Sequence, residues 1–173
     1  IFLDEACFGP GVIDGKPGLF TRQAIASWNE VNGHPVGEFE AVLAAARAAV
    51  PDPYGLSFVP AAAAEWVDPT LPTERAEQAL RKRMSYRSLA EFMAERYHTA
   101  AGFLTELNGQ DKLGRLKVRD PVIVPNVRAF RIEAVAGTRH EAEEALAGLG
   151  ARHMVVDTRT DQLRIFEAAP PAL

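Results

Sequence analysis

The side chains able to carry covalent or acid–base chemistry are few and widely spaced in this 173-residue chain. Its one cysteine is Cys7, and a thiol acts as a nucleophile only with a histidine or another base beside it. The four histidines lie far apart in the sequence: His34, His98, His140 and His153. We therefore predict that Cys7 is a small buried apolar residue beside Phe8, as unpaired cysteines usually are.

The spacing of the polar residues indicates neither a metal site nor the paired carboxylates of a glycoside hydrolase. No two histidines form a His-x-x-x-His pair, and none stands beside a set of carboxylates suited to a metal. None of the 23 acidic residues is singled out by its spacing as half of a catalytic pair. The sequence thus predicts no catalytic residue, no metal and no cofactor in this chain.

The balance of charge does not favour nucleic acid or an anionic membrane as a partner. With 19 basic and 23 acidic residues the net charge is −4, which is too mild and too mixed to favour either partner. We interpret the basic run Arg81-Lys82-Arg83 as a solvated helix end rather than a phosphate site. No apolar run approaches the ~20 residues that cross a bilayer, so no membrane span is predicted.

Clusters of proline and glycine divide the chain into three segments, and the helices and strands predicted within these segments must position any functional site. These segments cover residues 1–50, 54–126 and 127–173. The first is predicted to be helical, the second to be strand, helix, helix, strand with extra helical material after its first strand, and the third to be a small strand, helix and hairpin unit. Together they predict the α+β class.

In the first segment the Asp14-Gly15 dipeptide predicts a tight turn. The next helix is expected to start at Thr21, whose hydroxyl would cap the free amides of its first turn. Ile25 and Trp28 then share one helix face, and Asn32-Gly33 ends the helix. A third helix presents one apolar stripe, formed by Phe39, Val42, Leu43, Ala46 and Val50.

The second segment opens with a predicted strand over Tyr54–Val59, followed by a helix that starts after Thr73 and runs toward Met84. Ser88-Leu89-Ala90-Glu91 is a capping box that begins the next helix. Another helix is expected to start at Thr99. Its stop, Asn108-Gly109, is followed by a strand within Val118–Pro125.

The third segment is predicted to begin with a strand over Phe130–Val135 and to continue with a helix opened by the capping box at 138–141. Two strands, 154–157 and 163–166, then form a hairpin around a turn at 158–161. So small a sheet is marginal alone. We therefore expect residues 151–167 to pair with another strand or with a second copy in a homo-oligomer.

A resemblance to known families appears at the first segment. The run from Cys7 to Ile25 resembles the core motif of the peptidoglycan-binding three-helix domain, which has an Asp-Gly turn, a further glycine, a threonine and an aliphatic helix ending near an aromatic. The matching residues, in order, are Asp14, Gly15, Gly18, Thr21, Ile25 and Trp28. The family usually has Phe-Gln where this chain has Trp28-Asn29.

The second segment is similar to a LysM domain, a family with the order strand, helix, helix, strand that binds glycans containing N-acetylglucosamine. The similarity rests on Ser88-Leu89, Arg96-Tyr97, Leu104, Leu107-Asn108, Val118-Arg119-Asp120 and Val122-Ile123-Val124-Pro125. The chain departs from the family in its long insertion over 60–84 and in the Arg119-Asp120 turn. The resemblance implies that the loops Ser85–Ser88 and Asn108–Asp111 face each other.

The order of the three segments resembles that of bacterial L,D-transpeptidase precursors, in which the 151–166 region would open the catalytic β-domain. The family's Ser-His-Gly-Cys-like motif has no counterpart here, since the chain has no His-Gly pair and no cysteine after Cys7. The resemblance implies export to the periplasm or cell envelope. It also implies that peptidoglycan, through its glycan or its stem peptide, is the partner.

Candidate glycan-binding residues follow from these two motifs, and each also has a structural interpretation. They are Asp14, Gly15, Thr21, Trp28, Arg87, Ser88, Asn108 and Gly109. Asp14 and Thr21 are explained equally by a turn and a helix cap, and Trp28 by a place in the core. Tyr97 and His98 could also line a glycan surface, but Tyr97 is explained equally by a place on the apolar helix stripe and His98 by its position before a helix cap.

Three functions remain open at this level. The first is a non-catalytic peptidoglycan-binding module. The second is the front part of an L,D-transpeptidase that cross-links peptidoglycan through a cysteine outside this chain. The third is a protein–protein scaffold in the envelope.

Overall fold

The computed structural model describes residues 1–135 and 153–166, which fall into two compact units, Ile1–Ala134 and Val135–Leu173. The described residues form eight α-helices and two small antiparallel sheets of two strands each. The α+β class is therefore confirmed. The predicted first and second segments both lie inside the first unit, together with residues 127–134 of the predicted third segment.

Three helices open the first unit: α1 (Phe2–Glu5), α2 (Leu19–Val31) and α3 (Glu40–Ala49). Each pair of them is in contact. The apolar stripes predicted from the sequence meet in one cluster of buried residues, Leu3, Ala24, Trp28 and Val42. Asn32 follows the last residue of α2, and Gly33 has the left-handed φ of +73°, so the predicted helix stop is confirmed.

The rest of the first unit is built on a two-stranded sheet, β1 (Tyr54–Phe58) and β2 (Pro121–Pro125), which pair antiparallel with Leu56 opposite Ile123. Five helices lie between the strands in sequence. They are α4 (Ala63–Trp66), α5 (Arg75–Gln78), α6 (Leu89–Arg96), α7 (Ala101–Asn108) and α8 (Gln110–Gly114). Both strands and the capping-box helix were expected at these places.

The second hydrophobic core lies between this sheet and helices α6 and α7. Phe92 and Met93 from α6, Leu104 from α7 and Val122 and Val124 from β2 are all buried. The two valines are two residues apart, so they point to the same face of the strand. Because the alternate residues of β1 point the other way, Leu56 and Phe58 remain exposed.

The second unit contains the hairpin predicted from the sequence. Strands β3 (His153–Asp157) and β4 (Gln162–Phe166) pair antiparallel around a turn at 158–161. One face of this hairpin is apolar and exposed, and its side chains are Met154, Val156, Leu163 and Ile165. The pairing of residues 151–167 with a second copy stays a prediction. The helix predicted after residue 138 lies outside the described residues.

Two predicted elements are wrong. The helix expected from Thr73 toward Met84 is a single turn, α5, because it has no buried face to stabilise further turns. The strand expected over Phe130–Val135 is instead a loop that ends in a 3₁₀ turn at Ile132–Ala134. There the backbone N–H of Phe130 donates to the carbonyl of Arg96 at 2.8 Å, which fixes the segment on α6 rather than on a strand.

Helix starts and Cys7 also differ from expectation. Helix α2 begins at Leu19, two residues before Thr21, and α7 begins at Ala101 rather than at Thr99. Cys7 is exposed, with φ +62°, and is not the buried residue that we predicted. The chain reverses after α1, so Phe8 packs against the first core while Cys7 points outward.

Candidate functional site

The loop from Gly9 to Gly18 turns where the sequence predicts. The Asp14 carboxylate accepts a hydrogen bond from the backbone N–H of Lys16 at 2.9 Å, which closes a turn of the Asx type. Gly15 has φ +74°, and a Cβ atom added there would lie 2.8 Å from the Cε2 atom of Phe103. Glycine is therefore required at position 15 for two reasons: the backbone is left-handed, and the Phe103 ring leaves no space for a side chain.

A second set of contacts fastens this loop to the turn between α6 and α7. The N–H of Ile13 donates to the carbonyl of His98 at 2.8 Å, and the N–H of Ala100 donates to the carbonyl of Ile13 at 3.2 Å. The hydroxyl of Thr99, which is buried, donates to the same carbonyl at 2.6 Å. These three hydrogen bonds to Ile13 hold the loop against the turn between α6 and α7.

Between this loop and the helices lies a groove with a volume of about 450 Å³. Its walls are the loop over 10–17, the outer side of α2 at Thr21 and Ile25, and the side of α3. The α3 wall and the start of β1 contribute Phe39, Val42, Leu43, Ala46, Arg47 and Tyr54. The lining is mainly apolar, with charged groups only at Asp14, Lys16 and Arg47, apart from the amino group of Ile1.

The wall of the groove that carries Phe39 is positioned by a residue that sequence reasoning missed. Asn29 is fully buried, and its side-chain amide donates to the carbonyls of Val36 at 3.2 Å and Glu38 at 2.6 Å. These bonds fix the connection between α2 and α3. The available signal was the Trp28-Asn29 pair, at the end of the motif quoted from the sequence.

Two predicted residues of α2 have structural roles. The hydroxyl of Thr21 accepts a hydrogen bond from the N–H of Gly18 at 3.3 Å, so it bonds backward to the residue before the helix. It does not cap amides of the first turn as expected. Trp28 is only 9% exposed. Its ring stacks on His34, with centroids 5.5 Å apart, and meets the edge of Phe2, so it belongs to the core and does not line the groove.

Arg87 and Ser88 are engaged at the start of α6. The Ser88 hydroxyl accepts from the N–H of Glu91 at 3.1 Å, and the Glu91 carboxylate accepts from the N–H of Arg87 at 2.6 Å. This is a shifted capping box, since the carboxylate bonds to the residue before the cap. The Arg87 guanidinium donates to the carbonyl of Pro72 at 2.9 Å.

Asn108 joins the end of α7 to β2. Its amide donates to the carbonyl of Ile123 at 2.7 Å, and its side-chain oxygen accepts from the N–H of Ile123 at 2.8 Å. Gly109 has φ +87°, a conformation that ends the helix. Of the eight predicted residues, the structure therefore brings Asp14, Gly15 and Thr21 to the groove and gives Asn108 a contact with the sheet.

Two other polar contacts were not predicted. The Nδ1 atom of His98 lies 2.7 Å from Asp4 Oδ2 and joins α1 to the turn after α6. The hydroxyl of Tyr97 lies 2.5 Å from that of Ser57 on β1, so Tyr97 is neither wholly buried nor free for a ligand. Within the described ranges there is no cluster of three or more histidine, cysteine or acidic side chains that would hold a metal ion.

The helices described here include none with the length and apolar character that crossing a bilayer requires. No protein-family model matches the chain, and no curated protein is similar enough to count as a relative. The geometry of the groove is therefore the basis for assigning a function.

Proposed function

We propose that the first unit is a peptidoglycan-binding module of an exported bacterial protein and that it acts without catalysis. The observation that carries this proposal is the groove beside the Asp14-Gly15 turn. It collects four of the residues in the motif that resembles the peptidoglycan-binding three-helix domain, namely Asp14, Gly15, Thr21 and Ile25.

The size and lining of the groove suit a short piece of peptidoglycan. Its volume of about 450 Å³ lies in the range of about 300–1,000 Å³ that small-molecule sites occupy. Apolar walls at Phe39, Leu43 and Tyr54 suit the faces of sugar rings and the methyl groups of alanine residues. Lys16 and Arg47 provide positive charge for the carboxylates of a muropeptide.

The rigidity of the groove supports binding as well. The loop that forms one wall is fastened by the three bonds to Ile13, and Asn29 fixes the connection that leads into the opposite wall. A wall that is already ordered loses little conformational entropy when a ligand binds. The pairing of β1 with β2 beside α6 and α7 also supports the resemblance to a LysM domain.

Retention on purified, lipid-free sacculi tests the proposal. Phe39→Ala removes an aromatic wall that is 54% exposed, and Phe58→Ala on β1 is its matched control, since Phe58 is 59% exposed and does not line the groove. We expect Phe39→Ala to weaken retention about tenfold, as loss of a contact worth about 1.5 kcal/mol would. Phe58→Ala should leave retention unchanged.

A charge variant completes this test. Retention on sacculi is compared between Arg47→Gln, which changes a residue of the groove, and Arg22→Gln, which changes an exposed residue of α2 outside the groove. Absence of retention of the unmodified protein at low salt would rule out the binding function. Specific capture of an envelope protein in that case would favour the scaffold function.

A second candidate function concerns the other unit. We propose as the alternative that the chain is part of an L,D-transpeptidase whose catalytic cysteine lies outside these 173 residues. The supporting observation is the apolar face of the β3–β4 hairpin, because two strands alone are marginal and such a face suits packing in a larger β-domain. The intact mass of the protein purified from its native source tests this: a mass equal to that of 173 residues would contradict it.

A further inference from the structure

The segment between α4 and α6 is a loop that is closed at its base. The N–H of Tyr86 donates to the carbonyl of Trp66 at 2.8 Å, and the N–H of Asp68 donates to the carbonyl of Tyr86 at 2.8 Å. Leu71 is buried and anchors the first half of the loop. These contacts fix where the loop leaves the first unit and where it returns.

The far part of this loop, residues 79–84, is exposed at every position. Leu80 is 85% exposed, more than any other large hydrophobic side chain of the described residues, and Met84 is 54% exposed. Single exposed apolar residues are common on protein surfaces. These two are separated by Arg81, Lys82 and Arg83, so each is next to a cation.

The charges around this tip are predominantly positive. Residues 79–90 contain four cations, the fourth being Arg87, and no acidic residue. Arg83 lies over the ring of Trp66, with its guanidinium carbon 4.5 Å from the ring centroid, and donates to the carbonyl of Glu65. Two acidic residues are near the tip. The pKa of Asp68 is lowered by its hydrogen bonds with Thr70 and, to a smaller extent, by the positive charge of Arg81, and Glu77 of α5 is nearby in sequence. Because Arg83 is engaged by Trp66 and Glu65, Lys82 and Arg81 are the cations of the tip that remain for a partner, with Asp68 offsetting part of the charge of Arg81.

We infer that this tip, Leu80–Met84, docks on the surface of an anionic lipid bilayer. Leu80 and Met84 enter the boundary between headgroups and acyl chains, while Arg81 and Lys82 pair with lipid phosphates. An anionic polymer would satisfy the cations but offers no apolar layer for Leu80. The net charge of −4 does not oppose this, because at physiological salt a surface responds to charges within about 8 Å.

Co-sedimentation of the whole chain with vesicles tests the inference, with equal parts phosphatidylglycerol and phosphatidylcholine compared with phosphatidylcholine alone. We expect binding only to the anionic vesicles. Leu80→Ser should weaken it at least about tenfold. The double variant Arg81→Gln with Lys82→Gln should weaken it about 30-fold, since each cation near such a surface contributes roughly fivefold.

Two control variants make the result specific to the tip. Val31→Ser removes an apolar side chain that is 73% exposed at the end of α2. Lys112→Gln with Arg115→Gln removes two exposed cations from the region of α8. Neither control should change vesicle binding by more than about twofold.

Three outcomes would overturn the inference. They are no preference for the anionic vesicles, an equal loss from the control pair Lys112 and Arg115, and a loss from the cation variant without any loss from Leu80→Ser. The last result would indicate an anionic polymer instead of a bilayer. The purified sacculi contain no lipid, so a failure of the vesicle test can be distinguished from a failure of the peptidoglycan test.

Discussion

His98 and Asp4 form a hydrogen-bonded contact, with Nδ1 and Oδ2 2.7 Å apart, that joins the turn after α6 to the first helix. The two residues are 94 positions apart in sequence. With the bonds to Ile13, this contact fastens the three-helix part of the first unit to the part that contains the sheet. The groove lies beside this junction, so its shape depends on it.

Asp4→Ala should therefore destabilise the first unit. We expect the free energy of unfolding to fall by about 1 kcal/mol, the usual effect of losing a partly buried side-chain hydrogen bond. Urea denaturation followed by circular dichroism measures this. Glu38→Ala is the control, since Glu38 is an exposed partner of His34 at 3.9 Å, and an exposed pair at that distance contributes little. An equal loss in both variants would contradict the role given to His98.

Gly15→Ala tests the contact between the turn and α7. The left-handed backbone costs roughly 1 kcal/mol for alanine, and the new Cβ would meet Phe103 at 2.8 Å. Gly33→Ala is a matched control, because Gly33 has φ +73° but nothing within 4 Å of a new Cβ. The expected loss of unfolding free energy is about 1 kcal/mol for Gly33→Ala and about 2–3 kcal/mol for Gly15→Ala. Equal losses would show that Phe103 moves aside without cost.

Asn108→Ala separates a structural role from a role in ligand binding. It breaks both bonds to Ile123 and should lower the free energy of unfolding by about 2 kcal/mol. Asn108→Asp should be nearly as harmful, because a carboxylate cannot donate to the carbonyl of Ile123. Under conditions where Asn108→Ala remains folded, retention on sacculi should be unchanged. Selective loss of retention would restore Asn108 as a binding residue.

The pairing of Arg96 with Glu133 predicts a dependence on pH. Burial alone would raise the pKa of Glu133, but the hydrogen bond from its own backbone and those from Arg96, at 3.0 and 3.1 Å, hold the pKa below its ordinary value of 4.5. A carboxyl whose pKa is lowered by folding stabilises the protein above that ordinary value, and this stabilisation is lost as the pH falls through the lowered pKa.

Glu133→Gln should accordingly lower the free energy of unfolding at pH 7 by about 1 kcal/mol. The difference from the unmodified protein should shrink as the pH falls from 4.5 through the lowered pKa of Glu133, because the carboxyl then becomes protonated and neutral like the glutamine. Thermal melts from pH 7 to pH 3 measure it, with Glu106→Gln on α7 as an exposed control. A difference that does not change with pH would contradict the ion-pair explanation.

The apolar face of the β3–β4 hairpin leads to a prediction on assembly. If residues 151–167 pair with a second copy, light scattering should detect a dimer whose population rises with concentration. Ile165→Lys places a charge on that face and should shift the protein to a monomer. Arg164→Gln, on the other face of the same strand, should not. A monomer at all concentrations in the unmodified protein would remove this prediction.

The sequence by itself determined the features that depend on neighbouring residues. The Asp14-Gly15 turn, the Ser88 cap, the Asn108-Gly109 stop and the β3–β4 hairpin are all present where local chemistry predicts them. Each requires only a polar side chain, a glycine or an alternating pattern within a few positions. The position of the groove was partly accessible for the same reason, through the motif around Asp14.

Only the tertiary structure decided which of these residues meet. Thr99 and Ile13 are 86 positions apart, and no periodicity in the sequence relates them. The same holds for Gly15 with Phe103. The helix predicted after Thr73 is cut to the single turn α5 for a related reason, since further turns need a buried face to stabilise them, and Leu80 provides none. Contacts between distant segments therefore set the walls of the groove and left the Leu80–Met84 tip exposed.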